Sequence, residues 1–214
     1  MTSRKRGGRQ LKTFTGILCA LLLGLLTAGG AGAAIYTFPG TPVAILDGDY
    51  LYADIIDVDD PGVVADVNVF VDVTHSDISD LDIYLAHQES GGATWKYVQL
   101  FNQYGGPGDS LAGVTFDDEA MTCINLATSS PRWFGTFKPG STYDEYADSN
   151  LLSFFDGDDI AGTWSLAIWD GYSGDTGTLN AFSIDVTPVP IPGAIWLLGS
   201  GIIGLVGFSR KLRS

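Results

Sequence analysis

Cysteine, histidine and mid-chain positive charge are all scarce in this sequence. Two cysteines occur in 214 residues, Cys19 in an apolar run near the start and Cys123 in the body. Once the first run is removed a single thiol remains, so the mature chain has no internal disulfide and must rely on its core. The two histidines, His75 and His87, have no metal-ligand spacing, which with one free cysteine argues against a catalytic zinc centre. They are also the only candidate imidazole bases. No Gly-x-Ser-x-Gly elbow accompanies them, and His75 in Thr74-His75-Ser76 reads as a buried or turn-bonding residue, so a serine hydrolase is not indicated.

Of the eleven Lys and Arg, Arg4, Lys5, Arg6, Arg9 and Lys12 precede the first apolar run, and Arg210, Lys211 and Arg213 follow the last. Only Lys96, Arg132 and Lys138 lie between, in the stretch that holds all 25 Asp and Glu. Phosphate recognition needs clustered cations, so nucleic acid is excluded as a partner. A surface this acidic favours solubility and attracts divalent cations. General solvation of a secreted surface accounts for the same composition.

The two apolar runs sit at the ends. Basic residues lead into Gly16-Ile-Leu-Cys-Ala-Leu-Leu-Leu-Gly-Leu-Leu26 and then into Ala31-Gly32-Ala33. That is the three-part layout of a secretory signal helix, with Ala31 and Ala33 as the small residues before cleavage by signal peptidase. An uncleaved membrane anchor is the alternative. At the other end Val189-Pro190-Ile191-Pro192 precedes a Gly-studded apolar helix over 193–208 and a basic tail. This run is short for a stable span, which usually needs about 20 residues, and its tail would stay cytoplasmic.

Proline pair, apolar segment and basic terminus in that order resemble the PEP-CTERM sorting signal, with Ile191 where Glu is commonest. The resemblance implies that an exosortase in the membrane cuts near Val189, Pro190, Ile191 and Pro192, after the helix has tethered the chain transiently. A plain C-terminal membrane anchor is the alternative. The expected organisation is therefore a signal peptide over 1–33, a body over 34–187 and a sorting signal over 188–214, and the expected destination is the cell surface or extracellular matrix.

The body has the period of strands. Val67, Val69, Val71 and Val73 alternate with Asp66, Asn68 and Asp72, the pattern of a strand with one face buried. Leu81–Leu85, Trp95–Phe101, Trp164–Trp169 and Leu179–Val186 repeat it between Gly- and Asp-rich turns such as Gly105–Asp109 and Asp170–Gly177. Trp164 and Trp169 have opposite parity, which predicts one in the core and the other covering an edge. Short strands with such turns predict an all-β fold, a two-sheet antiparallel sandwich of the jelly-roll kind.

Several segments make a resemblance specific. Val71-Asp-Val-Thr-His-Ser-Asp-Ile-Ser-Asp-Leu-Asp-Ile-Tyr-Leu85, Leu100-Phe-Asn102 with Gly105-Gly106, Thr115-Phe-Asp-Asp-Glu-Ala120, Phe155-Asp-Gly157, Gly162-Thr-Trp-Ser-Leu166 and Gly174-Asp-Thr-Gly-Thr-Leu-Asn180 resemble the P/Homo B domain, in the right order over 71–186. Ser79 replaces a common Gly, and Ala86-His87-Gln88 replaces a Ser-Pro turn. In that family the domain usually accompanies a subtilisin-like protease, a part missing from this sequence. The resemblance implies structural calcium, for which Asp80, Asp117, Asp118 and Asp170 are the candidate ligands, with Asp82 and Glu119 nearby. The competing reading is that these acids cap turns. Asp47-Gly-Asp49, Asp57–Asp60 and Asp156–Asp159 are weaker: Val58 and Ala167 stand where an EF-hand would carry its last acid.

These readings converge on a non-enzymatic exported module, calcium-stabilised and sorted by an exosortase. Two alternatives stand beside it. One is an accessory subunit for a separately encoded secreted protease; the other is a protein that binds or processes a matrix polysaccharide. For the latter, Tyr50, Tyr52, Tyr84, Trp95, Tyr97, Trp133, Tyr143 and Tyr146 are candidate platform residues, although sheet and core roles explain most of them. With 25 acids, a workable carboxylate pair for glycoside hydrolysis is uninformative.

Overall fold

A computed structural model describes residues 32–190, apart from 128–131 and 141. The expected signal and sorting helices, with Ala31, Ile191 and Pro192, lie outside the described residues. Ten strands follow one another within Gly32–Val189: β1 (Ala34–Thr37), β2 (Val43–Ile45), β3 (Tyr50–Val58), β4 (Val64–His75), β5 (Leu81–Glu89), β6 (Lys96–Asn102), β7 (Ser110–Phe116), β8 (Arg132–Phe137), β9 (Gly162–Asp170) and β10 (Gly177–Pro188). The fold is all-β, and no helix among the described residues is long and apolar enough to cross a membrane.

The strands form two sheets. One has the order β1-β10-β4-β7-β8, with β2 also pairing β10; the other has the order β3-β9-β5-β6. Alternation along β4 and β10 explains why the first sheet buries one face. Val67, Val69, Val71 and Val73 on β4 and Phe182, Ile184 and Val186 on β10 all point into the core, while Asp66, Asn68 and Asp72 take the other face. The second sheet contributes Leu81, Ile83 and Leu85 from β5 and Trp164, Leu166 and Ile168 from β9. The two inner faces make one sandwich core.

Two features depart from the sequence-based expectation. The sheets are not wholly antiparallel, because β7 and β8 pair in parallel from Ser110↔Arg132 to Phe116↔Phe137. The connection 117–131 is long enough to carry the chain back to the end from which β7 set out, as a parallel pair requires. Trp164 is fully buried as expected, but Trp169 does not cover an edge. It lies on the outer face of β9, an inner strand of its sheet, between Tyr50 and Asp82.

Trp164 anchors the core between the sheets. Its indole stacks on His87 at 3.8 Å and 13°, meets Phe155 edge-on at 5.2 Å, and donates from Nε1 to the Ile160 carbonyl at 3.1 Å. The strand begins at Gly162 because no other residue fits there: φ is +142° and a Cβ would lie 2.1 Å from the Gln88 carbonyl oxygen. Replacing Trp164 by Ala removes a fully buried indole and leaves a cavity, so chemical denaturation should show a loss of about 3–5 kcal/mol. A loss below about 1 kcal/mol would contradict this placement.

Candidate functional site

The four predicted calcium ligands do not share one point. Asp80 closes a short 3-10 turn, and its carbonyl accepts from Gly171 N at 2.9 Å, which sets it beside Asp170 at the end of β9. Asp117 and Asp118 instead follow β7 toward the opposite end of the first sheet, where Phe116 lies opposite Val69 while Ser110 lies opposite Thr74. Asp118 accepts from Leu152 N at 3.1 Å and Ser153 N at 2.8 Å, and Asp117 Oδ1 accepts from Glu119 N at 2.6 Å. These are turn-capping bonds. At the first end the cap is Asp77, whose Oδ1 accepts from Ser79 N and Oγ.

Asp170 is wholly buried. Its Oδ2 lies 3.2 Å from His75 Nε2, and His75 Nδ1 lies 2.6 Å from the Asp77 carbonyl oxygen. Burial raises the Asp170 carboxyl above the usual range, opposed by His75 and by the Tyr172 amide. Oδ1 makes no well-formed hydrogen bond. One orphaned oxygen beside Asp80 could join a cation, but calcium takes six to eight oxygens, and among the described residues no three His, Cys, Asp or Glu converge as a metal group. The residues present fit a weak partial site and not a cage.

The outer face of the second sheet is organised differently. Across β3, β9, β5 and β6 one row reads Tyr50, Trp169, Asp82, Asn102, and the next reads Tyr52, Ala167, Tyr84, Gln99. Tyr50 stacks on Trp169 at 5.8 Å and 12° and on Tyr52 at 5.9 Å and 10°, giving three near-parallel rings. Beside them is a polar network centred on Gln99. Its Nε2 lies 3.0 Å from Asp82 Oδ1, 3.2 Å from the Tyr84 hydroxyl and 3.1 Å from Asp144 Oδ2, and its Oε1 accepts from Asp144 N at 2.8 Å. Gln103 Nε2 donates to Asp82 Oδ2 at 2.7 Å, and the Tyr84 hydroxyl donates to Asp144.

Asp82 is 2 % exposed. Burial pushes its carboxyl up to about 6; bonds from Gln103 and Gln99 oppose this, and the Asp144 charge adds to it. Of the candidate platform residues, this face collects Tyr50, Tyr52, Tyr84 and Tyr97, with Tyr146 close to Tyr50. Trp133 goes to the core, and Trp95 lies against Tyr97 at 6.4 Å. Sequence reasoning missed Trp169, Gln99 and Asp144 as members. The parity of Trp169 carried the signal, but nothing local connects position 144 with position 84.

No family model matches the chain, and no curated protein is similar to it. Among solved structures it is similar to the serine protease of Aeromonas sobria in complex with its chaperone, at 19% identity and a TM-score of 0.43 over 74% of this chain. The protease from the same organism by itself is similar at 15% identity and a TM-score of 0.41 over 75%. The chain spans about a quarter of the length of these structures, 26% and 27%. Similarity at this level establishes neither a shared fold nor a shared function.

Carboxyl crowding gives the stability a definite pH dependence. Burial is the first cause of the raised Asp66, Asp80, Asp82, Asp156 and Asp170 carboxyls, and a bond to Asp117 is the first cause for Glu119. Burial holds the Asp82 carboxyl at about 6 in the folded chain, against an ordinary value of 3.8. The stability its proton confers is therefore complete below the lower value and lost as pH rises through the upper. The melting temperature should rise between pH 7 and pH 5, and Asp82→Asn should flatten that slope. A melting temperature that falls on the same acidification would contradict the shifts.

Proposed function

We propose that the chain is a non-catalytic module displayed outside the cell, working by binding. The observation that carries this reading is the commitment of its candidate catalytic groups to the fold. His75 is held by the Asp77 carbonyl and Asp170. His87 lies under Trp164, with its ring nitrogens 3.2 Å and 2.8 Å from the carbonyls of Thr163 and Asp159. Asp82 and Asp144, the carboxylates beside the exposed rings, already accept from Gln99, Gln103, Tyr84 and the Tyr146 amide. A general acid or base must be free to reach substrate, and these groups are engaged with their own chain.

Display outside the cell rests on the two ends of the sequence, and the strand ends are compatible with it. Ala34 is the first residue of β1 and pairs with Val186, while β10 ends at Pro188. Cutting after Ala33 and within 189–192 would trim both ends without removing a paired strand residue. The intact mass of the protein recovered from the cell surface or medium should correspond to a chain starting at Ala34 and ending between Val189 and Pro192. A cell-associated form retaining both ends would contradict the reading.

Calcium enters this proposal as a weakly held stabilising ion at the Asp80–Asp170 end. The orphaned Asp170 Oδ1 supports it, together with the nearby Asp77 and Asp175 charges that raise Asp80 after burial. An ion that binds only the folded state stabilises it by mass action. The melting temperature should be higher in millimolar calcium than in chelator, and less so in Asp80→Asn. An unchanged melting temperature would remove calcium from the account.

A further inference from the structure

We propose that the outer face of the four-stranded sheet binds a polysaccharide of neutral hexose units, and that this contact holds the module in its matrix. The inference rests on the non-catalytic binding reading above and names its ligand. Its geometric basis is the juxtaposition of three near-parallel rings, Trp169, Tyr50 and Tyr52, with the hydrogen-bonded side chains around Gln99.

A sugar ring has apolar C–H faces and a rim of hydroxyls, so its receptor must pair aromatic surface with oriented polar groups. The aromatic part is open to solvent here: Tyr50 is 50% exposed and Tyr52 57%, and Tyr146 beside them is 69% exposed. Trp169 is held over Gly171, where any Cβ would come within 3.3 Å of the indole. The centre of the face carries the small residues Ala167, Ala86 and Ser165 opposite the larger ones, so no bulky side chain rises between the tyrosines of β3 and those of β5 and β6. Rings positioned in this way lose little conformational freedom on binding.

Charge selects among occupants. No cation lies among the named members of this face, and Lys96, next to Tyr97, is paired with Asp158 at 2.5 Å. An acidic polymer would meet the exposed Asp54 on the outer parity of β3 and the Asp144 charge with no cation to offset them. A basic peptide would need free carboxylates, yet Asp54 accepts from Ser165 Oγ, and Asp82 and Asp144 are bound by Gln99, Gln103 and Tyr84. Exposed rings and tyrosine hydroxyls beside a satisfied network suit an uncharged, hydroxyl-bearing ligand.

The test is affinity electrophoresis of the exported protein through gels containing a neutral glucan, a neutral galactomannan or a polyuronate, with an assay for released reducing ends. The wild type should be retarded by a neutral polysaccharide. The double variant Tyr50→Ala, Tyr52→Ala should bind about thirtyfold more weakly, since each of the two ring contacts is worth roughly a kcal/mol, and Phe134→Ala on the other sheet should bind as the wild type does. Because both tyrosines are at least half exposed, the double variant should melt as the wild type does. No retardation by either neutral gel, retardation by the polyuronate alone, or retardation unaffected by the double substitution would overturn the site. Release of reducing ends from a glycan bound in this way would support the site and overturn the non-catalytic reading.

Discussion

A buried imidazole–carboxylate contact ties the two sheets together. His75 ends β4 in the larger sheet, Asp170 ends β9 in the smaller, and their side chains meet at 3.2 Å with neither exposed. Such a pair is costly to desolvate and adds little net stability by itself, but removing one partner strands the other charge in the interior. Its value here is positional. Once Asp170 is fixed, the register of β9 follows: Asp170 lies opposite Leu81, Trp169 opposite both Asp82 and Tyr50, and Ala167 opposite both Tyr84 and Tyr52. The inner parity of that strand fills the core with Ile168, Leu166 and Trp164, and the outer parity builds the aromatic face.

The same strand thus links the packing of the core to the aromatic face. On its buried side Trp164, His87 and Phe155 interlock. On its exposed side Trp169 continues into Tyr50 and Tyr52. The network around Gln99 depends on β5, β6 and the segment near Asp144, and it keeps Asp82 buried on an outer face where a carboxylate would ordinarily be solvated. The raised Asp82 carboxyl is the electrostatic consequence. A face built in this way is suited to holding a ligand by fit rather than by net charge.

Much of this architecture could be read from the sequence. Alternation marked β4, β5, β6, β9 and β10, and their inward residues are the core as expected. Strand β3 alternates as well, with Tyr50 and Tyr52 outward and Leu51, Ala53 and Ile55 inward, yet its acidic and aromatic content hid it. β1 and β2 are too short for period to show, and the parallel partner of β7 depends on where the 117–131 connection returns, which no local pattern encodes. The candidate acids were legible as residues and not as a site. Strand ends far apart in sequence can come together, as Asp80 and Asp170 do, or diverge, as Asp117 and Asp118 do from them. Gln99 illustrates the remaining difficulty: its partners Asp82, Tyr84 and Asp144 come from three parts of the chain.

The claim that the aromatic face is a working surface can be tested on the unmodified protein by following its tryptophan indole N–H signals during titration with a neutral oligosaccharide. Trp169 belongs to the face, whereas Trp164 is sealed in the core and Trp133, from β8 of the other sheet, is buried against Phe101. The account predicts a saturable shift of the Trp169 indole signal, with Trp164 and Trp133 unmoved. A shift confined to the other indoles, or no shift at any concentration of any neutral oligosaccharide, would contradict it.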